Sequence, residues 1–142
     1  MTALPKSAMV YFVCLHGSAK SLIAAQHFNR LAGARGLPHR AESMGVEPDA
    51  EVPPPVIAGL ARDGFEMRGY TPQPLDTARL AGAGCVVSIG CELPPIDGAD
   101  RFERWNDLPL VSDGFDRARA AIVERLEQLV DALARDASRM ES

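Results

Sequence analysis

The sequence predicts an α/β fold, a three-layer sandwich in which a parallel sheet carries helices on both faces. Residues 9–13 and 85–89 are continuous apolar runs, which is typical of strands buried on both faces. Apolar residues between positions 122 and 133 recur on one side of a helical pattern, which predicts an amphipathic helix. Strands that alternate with helices along a chain favour a parallel sheet. We expect residues 1–142 to form one domain, because the chain is long enough for a single core.

The first part of the chain predicts a strand, a tight turn, a helix and a second strand. The first apolar run ends at Cys14, and a turn of small residues follows it. From Ser21 the apolar residues recur with helical spacing, and Gly33 and Gly36 are the expected stops. Residues 38–44 have the pattern of a short strand. Cys14 therefore lies at the carboxyl end of a strand, where parallel sheets bind their ligands.

The second part of the chain predicts short elements and one long helix. Three consecutive prolines lead into a helix that ends near Gly64, and a short helix follows over residues 76–80. A brief strand is expected over residues 102–105. The amphipathic helix at the end of the chain follows Ser112 and Asp113, and either side chain suits a helix cap.

Composition disfavours several classes of function. Lys and Arg number 15 against 19 Asp and Glu, so the net charge of −4 at pH 7 disfavours a nucleic-acid partner. No apolar run approaches the roughly 20 residues that span a bilayer, and no signal-peptide pattern opens the chain. Three sparse cysteines do not make a secreted disulfide framework. We expect a cytoplasmic enzyme or binding module with no membrane partner, and the histidine spacing suggests no metal site.

The loop from Cys14 to Ser21 has the composition of an oxyanion site. A turn between a buried strand and a helix directs backbone N–H groups into one hollow, where a phosphate-like anion is the natural ligand. The residues expected to surround the anion are Leu15, His16, Gly17, Ser18, Ala19 and Lys20. The same field favours the thiolate of Cys14 as a nucleophile, with Lys20 as the counter-charge and Ser21 as a hydrogen-bond donor. The alternative is a buried thiol beside a solvated lysine.

The order of these segments resembles a known family. The loop is similar to the active-site loop of the low-molecular-weight protein tyrosine phosphatase and arsenate reductase superfamily, in which Cys, five residues, Arg and Ser follow the first strand. Residues 43–48 resemble the family's Ser-Ala-Gly-Thr segment, and residues 63–75 resemble its Gly-Ile-Asp turn and the loop after it. The resemblance implies about four parallel strands, no bound cofactor and catalysis by Cys14.

Three features depart from the family pattern. Lys20 replaces the family arginine, which keeps the charge and loses the planar two-point grip on an oxyanion. Gly17 replaces an asparagine and takes the left-handed backbone that this position needs at no steric cost. The family's Asp-Pro pair, whose aspartate protonates the leaving oxygen, is absent from residues 105–113. Asp107 and Asp113 are the candidate acids, and a turn residue and a helix cap are the competing interpretations.

Two features favour the reductase branch of the family. The Cys-x-His-x-Ser-Ala opening is similar to that of arsenate reductases, and Leu22 stands where phosphatases tend to have proline. Cys91 follows the second apolar run, one residue out of register with the resolving cysteine of thioredoxin-coupled reductases. A resolving thiol would displace arsenite by attacking the Cys14 sulfur, whereas a loop thiol without a role is the alternative. Cys85 is interpreted as core filler.

The sequence therefore predicts an oxyanion-loop enzyme that uses a cysteine thiolate. The leading expectation is thiol-dependent arsenate reduction, with thioredoxin, glutaredoxin or a small thiol as the external reductant. Hydrolysis of phosphomonoesters, including phosphotyrosine, through a cysteinyl-phosphate is the alternative. A non-catalytic oxyanion-binding relative is the third interpretation.

Overall fold

The computed structural model describes residues 8–141 and the side chains of residues 8–138, and these residues form four strands and four α-helices. The strands are β1 (Met9–Cys14), β2 (Arg40–Gly45), β3 (Cys85–Ile89) and β4 (Phe102–Trp105). The helices are α1 (Lys20–Ala34), α2 (Pro54–Arg62), α3 (Thr77–Ala81) and α4 (Phe115–Glu141). No helix within these residues has the length and apolar character to cross a bilayer.

The four strands form one parallel sheet in the order β2-β1-β3-β4. β1 is a central strand, and its last residue, Cys14, pairs with Gly45 at the end of β2. On its other side, Val13 of β1 pairs with Ser88 of β3. The carboxyl ends of β1, β2 and β3 therefore meet at one edge of the sheet, which confirms the predicted parallel arrangement.

Side chains alternate between the two faces of the sheet and build two separate cores. Phe12 and Cys14 face the layer of α1, α2 and α4, where the Phe12 ring lies 5.8 Å from both Phe28 and Trp105. Val13 faces the opposite side, where Leu80 of α3 and its neighbouring loops cover the sheet. The three layers are those predicted, but the second helical layer is a single helix of five residues.

Two predicted helix starts need correction. α1 begins at Lys20 rather than Ser21. The prediction that Ser112 or Asp113 caps the last helix is wrong, because both lie in a 3-10 turn that precedes it. Gly114 follows with a φ of 144°, and its carbonyl accepts a hydrogen bond from the backbone of residue 118 at 3.2 Å. Glycine tolerates this backbone and is itself a common N-cap residue, so α4 begins at Phe115.

Two histidines are buried in the folded chain. His39, next to the start of β2, is 7% exposed, and its Nδ1 atom has no hydrogen-bond partner among the described residues. Burial lowers the pKa of His39. Burial also lowers the pKa of His27, although the Asp63 carboxylate, 3.1 Å away, opposes the shift. Both imidazoles therefore favour the neutral form in the folded protein.

We expect the free energy of unfolding to fall as the pH drops below about 6.5, the ordinary histidine pKa. In that range the unfolded chain binds protons that the folded protein excludes at His27 and His39. One such group contributes at most about 1.4 kcal/mol per pH unit. Urea denaturation between pH 7.5 and pH 5 measures the slope, and His39→Gln should reduce it. An unchanged slope in that variant would contradict the role of His39.

Candidate active site

Cys14 lies at the base of a cavity of about 460 Å³ at the carboxyl edge of the sheet. The residue is 8% exposed. One wall of the cavity is the loop from Cys14 to Lys20, which we call the anion loop, and it ends at the start of α1. The opposite wall is largely apolar. Its side chains include Pro53, Pro55, Val56, Leu110 and Val111.

The Cys14 sulfur has two hydrogen-bonding neighbours. The Ser21 hydroxyl oxygen lies 2.8 Å from it, and the Gly17 backbone N–H donates to it at 3.3 Å. Ser21 also lies 2.7 Å from the Ser43 hydroxyl of β2. Either partner can be the donor in these two contacts, and the Ser43 hydroxyl also donates to the Gly17 carbonyl at 3.4 Å. The Gly17 N–H is a fixed donor to the sulfur, and the Ser21 hydroxyl is placed to be a second one.

The backbone of the anion loop is held from outside by the segment that follows β2. Three consecutive loop carbonyls accept hydrogen bonds from backbone N–H groups of that segment. The pairs, donor first, are Val46–Cys14 at 3.1 Å, Glu47–Leu15 at 2.7 Å and Asp49–His16 at 3.1 Å. In a planar trans peptide the next N–H points opposite to the carbonyl. The N–H groups of residues 15–17 therefore point away from the segment, as Gly17 shows by donating to the sulfur.

The start of α1 adds further donors and a positive charge. Its N-cap residue, Ala19, provides no side-chain hydrogen bond, and no acidic residue lies in the first turn. The N–H groups of that turn have no partner within the helix and carry the positive end of its dipole. Lys20 lines the cavity. A Cβ built on Gly90 would lie 3.6 Å from its ammonium nitrogen, so the ammonium lies beside the end of β3.

Two glycines allow the anion loop to pack against β2. Gly17 has a φ of 64°, as the left-handed prediction required, and a Cβ there would lie 2.7 Å from the Gly45 nitrogen. A Cβ on Gly45 would lie 2.6 Å from the His16 carbonyl carbon. Both contacts are with backbone, so side chains at these positions would force the loop and the strand apart.

Asp49 is a cavity residue that sequence reasoning missed. Its carboxylate accepts a hydrogen bond from the Ser18 hydroxyl at 2.6 Å and lies 3.4 Å from His16 Nδ1. His16 also approaches the Glu47 carbonyl at 3.1 Å. A Pro48-Asp49 pair is common in turns, so the sequence around Asp49 predicted a turn and did not single it out as a site residue.

Cys91, predicted as a candidate resolving thiol, lies on the other side of the sheet from Cys14. Its thiol is 3.6 Å from the Val13 carbonyl and 3.4 Å from the Ser88 hydroxyl, and it packs against the second core. The Cys14 side chain packs with the first core. The resolving role of Cys91 stays a prediction. Cys85 is fully buried, as core filler should be, and burial raises its pKa to about 12.

The two candidate acids, Asp107 and Asp113, are both exposed. Asp107 is 75% exposed at its side chain and forms an ion pair with Arg125 at 2.8 Å. Asp113 ends the 3-10 turn and is exposed. Neither is among the described residues that line the cavity, whereas Asp49 is. A role for Asp107 or Asp113 as proton donor stays a prediction.

A parallel sheet whose first strand ends in a cysteine beneath an uncapped helix start defines a class, the α/β proteins of low-molecular-weight-phosphatase type. The chain belongs to the low molecular weight phosphotyrosine protein phosphatase family, whose sequence model matches residues 9–92. This confirms the superfamily that the sequence predicted. No curated protein sequence matches the chain.

Solved structures of both branches resemble the chain. An arsenate reductase from Archaeoglobus fulgidus is 30% identical, with a TM-score of 0.70 over 86% of this chain and 98% of that chain. A low molecular weight protein tyrosine phosphatase from Bacillus subtilis is 19% identical, with a TM-score of 0.76 over 91% and 99%. A thioredoxin-dependent arsenate reductase from Corynebacterium glutamicum is 23% identical, with a TM-score of 0.76 over 90% and 62%. The last two show the shared fold alone.

The contact between Gly45 and the anion loop provides a test of the site. Gly45→Ala should lower the free energy of unfolding by about 1–3 kcal/mol, because the new Cβ overlaps backbone. It should also abolish protection of Cys14 by phosphate against alkylation with iodoacetamide. In the matched variant Gly33→Ala the Cβ meets no described atom within 4 Å, so protection should persist. Wild-type stability and protection in Gly45→Ala would contradict the described contact.

Proposed function

We propose that the protein is a thiol-dependent arsenate reductase with Cys14 as the nucleophile. The main support for this proposal is the environment of the Cys14 sulfur. It accepts a hydrogen bond from the Gly17 N–H and lies 2.8 Å from the Ser21 hydroxyl oxygen at the base of the cavity. The unpartnered N–H groups of α1 and the charge of Lys20 suit a tetrahedral oxyanion in front of that sulfur. The 30% identity to the Archaeoglobus fulgidus arsenate reductase supports this choice between the branches.

In the first step the Cys14 thiolate attacks the arsenic atom of arsenate. A sulfur–arsenic bond forms and an arsenic–oxygen bond breaks, and the departing oxygen takes a proton and leaves as water. The backbone N–H groups and Lys20 bind the remaining oxygens, so the charge that develops on them is stabilised. Arsenate esters are labile, so this step depends less on a strong acid than phosphate ester cleavage does.

In the second step another thiolate attacks the Cys14 sulfur. A disulfide forms, the sulfur–arsenic bond breaks, and its electron pair stays on arsenic, which leaves as arsenite. Arsenic is reduced by two electrons and the two thiols are oxidised. Because Cys91 packs against the opposite face of the sheet, we assign this attack to an external thiol. A further reduced thiol then releases Cys14 from the mixed disulfide.

We expect arsenate-dependent oxidation of glutathione, or of reduced thioredoxin or glutaredoxin, by the wild-type protein. Cys14→Ser should abolish it, because the oxygen nucleophile forms no reducible bond to arsenic. Cys91→Ser is the matched control and should keep a rate within about twofold of the wild type with an external thiol. A loss as complete as in Cys14→Ser would assign the resolving step to Cys91. No oxidation with any of these reductants would exclude the reductase.

Hydrolysis of phosphomonoesters is the second candidate, and the apolar cavity wall favours it. One tetrahedral anion fills only part of the cavity of about 460 Å³. The remaining space lies between Pro53, Pro55 and Leu110, which suit an aromatic ring. The Cys14 thiolate would attack phosphorus, so that a sulfur–phosphorus bond forms while the ester phosphorus–oxygen bond breaks and the alcohol leaves with a proton from water. Water would then attack the cysteinyl-phosphate, releasing phosphate and restoring the Cys14 thiolate.

Release of phosphate from p-nitrophenyl phosphate tests the second candidate. We expect hydrolysis of this ester by the wild-type protein, and Cys14→Ser should remove the activity. Phenylphosphonate, which has no leaving group, should inhibit at a concentration at least about tenfold lower than methylphosphonate, because the ring buries apolar surface against the wall. Equal inhibition by the two phosphonates would contradict a role of the wall. Binding of inorganic phosphate without turnover of arsenate or of the ester would leave a non-catalytic oxyanion-binding protein.

A further inference from the structure

Asp49 holds two residues of the anion loop, His16 and Ser18, which lie on either side of Gly17. Its backbone N–H donates to the His16 carbonyl at 3.1 Å, and its carboxylate accepts from the Ser18 hydroxyl at 2.6 Å. The other carboxylate oxygen lies 3.4 Å from His16 Nδ1. Gly17, between the two held residues, has no side chain with which to fix the loop. Asp49, which lies outside the loop, therefore restrains the residues on both sides of Gly17. Glycine has more backbone freedom than any other residue, so the restraint falls where the loop needs it most.

The contact with Ser18 is the stronger part of this clamp. Ser18 is 2% exposed, so its hydroxyl is cut off from water and needs a partner in the protein. A hydrogen bond to a carboxylate is shorter and stronger than one between neutral groups, and 2.6 Å is in the range expected for such a bond. Because the peptides around Ser18 belong to the turn that surrounds the cavity, the bond restrains the backbone donors.

The charge of Asp49 makes this position unexpected in an anion site. Its carboxylate lines the same cavity as the Cys14 sulfur and Lys20. On electrostatics alone, a negative charge there weakens the binding of an oxyanion. The Asp49 side chain is 38% exposed, so solvent screens part of this repulsion, and the hydrogen bond to Ser18 acts in the opposite direction.

We propose that Asp49 is a positioning residue that preorganises the anion loop through Ser18 and His16. This inference rests on the proposed oxyanion site. The consequence has an unusual sign, because removal of a negative charge beside the site weakens anion binding instead of strengthening it. The carboxyl group itself takes no part in bond making, so its amide analogue retains most of the function.

The test is the equilibrium binding of inorganic phosphate at pH 8, measured by titration calorimetry on the full chain. Asp49→Ala should raise the dissociation constant about tenfold, the loss expected for one charge-assisted hydrogen bond. Ser18→Ala removes the same bond without changing the charge and should give a similar loss. The double variant should lose little more than either single variant, because both substitutions break one interaction.

Two further variants separate positioning from charge and from general stability. Asp49→Asn loses the charge but still accepts from Ser18, so it should bind phosphate within about threefold of the wild type. Glu51→Ala removes an exposed carboxylate from the same segment and should change the affinity by less than about twofold. Unfolding measurements on each variant ensure that the comparison is made on folded protein.

The outcomes distinguish this inference from the proposed function. Phosphate binding by Asp49→Ala that equals or exceeds that of the wild type would overturn the positioning role and leave the oxyanion site intact. A loss in Asp49→Asn as large as in Asp49→Ala would assign the effect to charge and also overturn the role. A wild-type protein that binds no phosphate would overturn the oxyanion site itself.

Discussion

The backbone pairing between the anion loop and the segment after β2 is the constraint on which the rest of the site depends. It follows directly on the pair of Cys14 and Gly45, where the β1–β2 ladder ends, so the loop is held by the chain that leaves the neighbouring strand. Because the loop carbonyls point toward the segment after β2, the N–H groups of the same peptides point away from that segment. The close approach of Gly17 to Gly45 is possible because neither has a side chain. Sheet register, and not the loop residues alone, therefore sets the geometry around the sulfur.

The alternation of side chains along the strands separates the three thiols chemically. Cys14, at the end of β1, faces the layer of α1, α2 and α4 and lines the cavity. Cys85 faces the same layer, but it lies at the start of β3 and is fully buried. Cys91 follows Gly90, whose φ of 63° turns the chain, and its sulfur packs against the opposite core. Neither of the other thiols therefore shares the cavity of Cys14, the proposed nucleophile. This separation is why an external thiol is the simplest resolving nucleophile.

Local pattern predicted most of the fold but little of the arrangement around the sulfur. The apolar runs and the amphipathic spacing identified the strands and the long helix, because buried faces impose periods of two and 3.6 residues. Asp49 reaches Ser18 across 31 positions of sequence, which no local pattern reveals. The face on which Cys91 lies depends on a single turn at Gly90. The prediction that Ser112 or Asp113 caps the last helix was wrong because the backbone at Gly114, with a φ of 144°, separates the 3-10 turn from α4.

In the proposed oxyanion site, Lys20 in place of the family arginine shifts anion recognition toward the backbone. An ammonium supplies charge without a fixed two-point geometry, so orientation of the oxyanion must come from other donors. The carboxylate of Asp49 in the same cavity offsets part of that single charge. What remains are N–H groups with fixed directions, those of the loop and of the first turn of α1. Such donors discriminate by shape more than by charge, which suits a tetrahedral anion held for attack by Cys14.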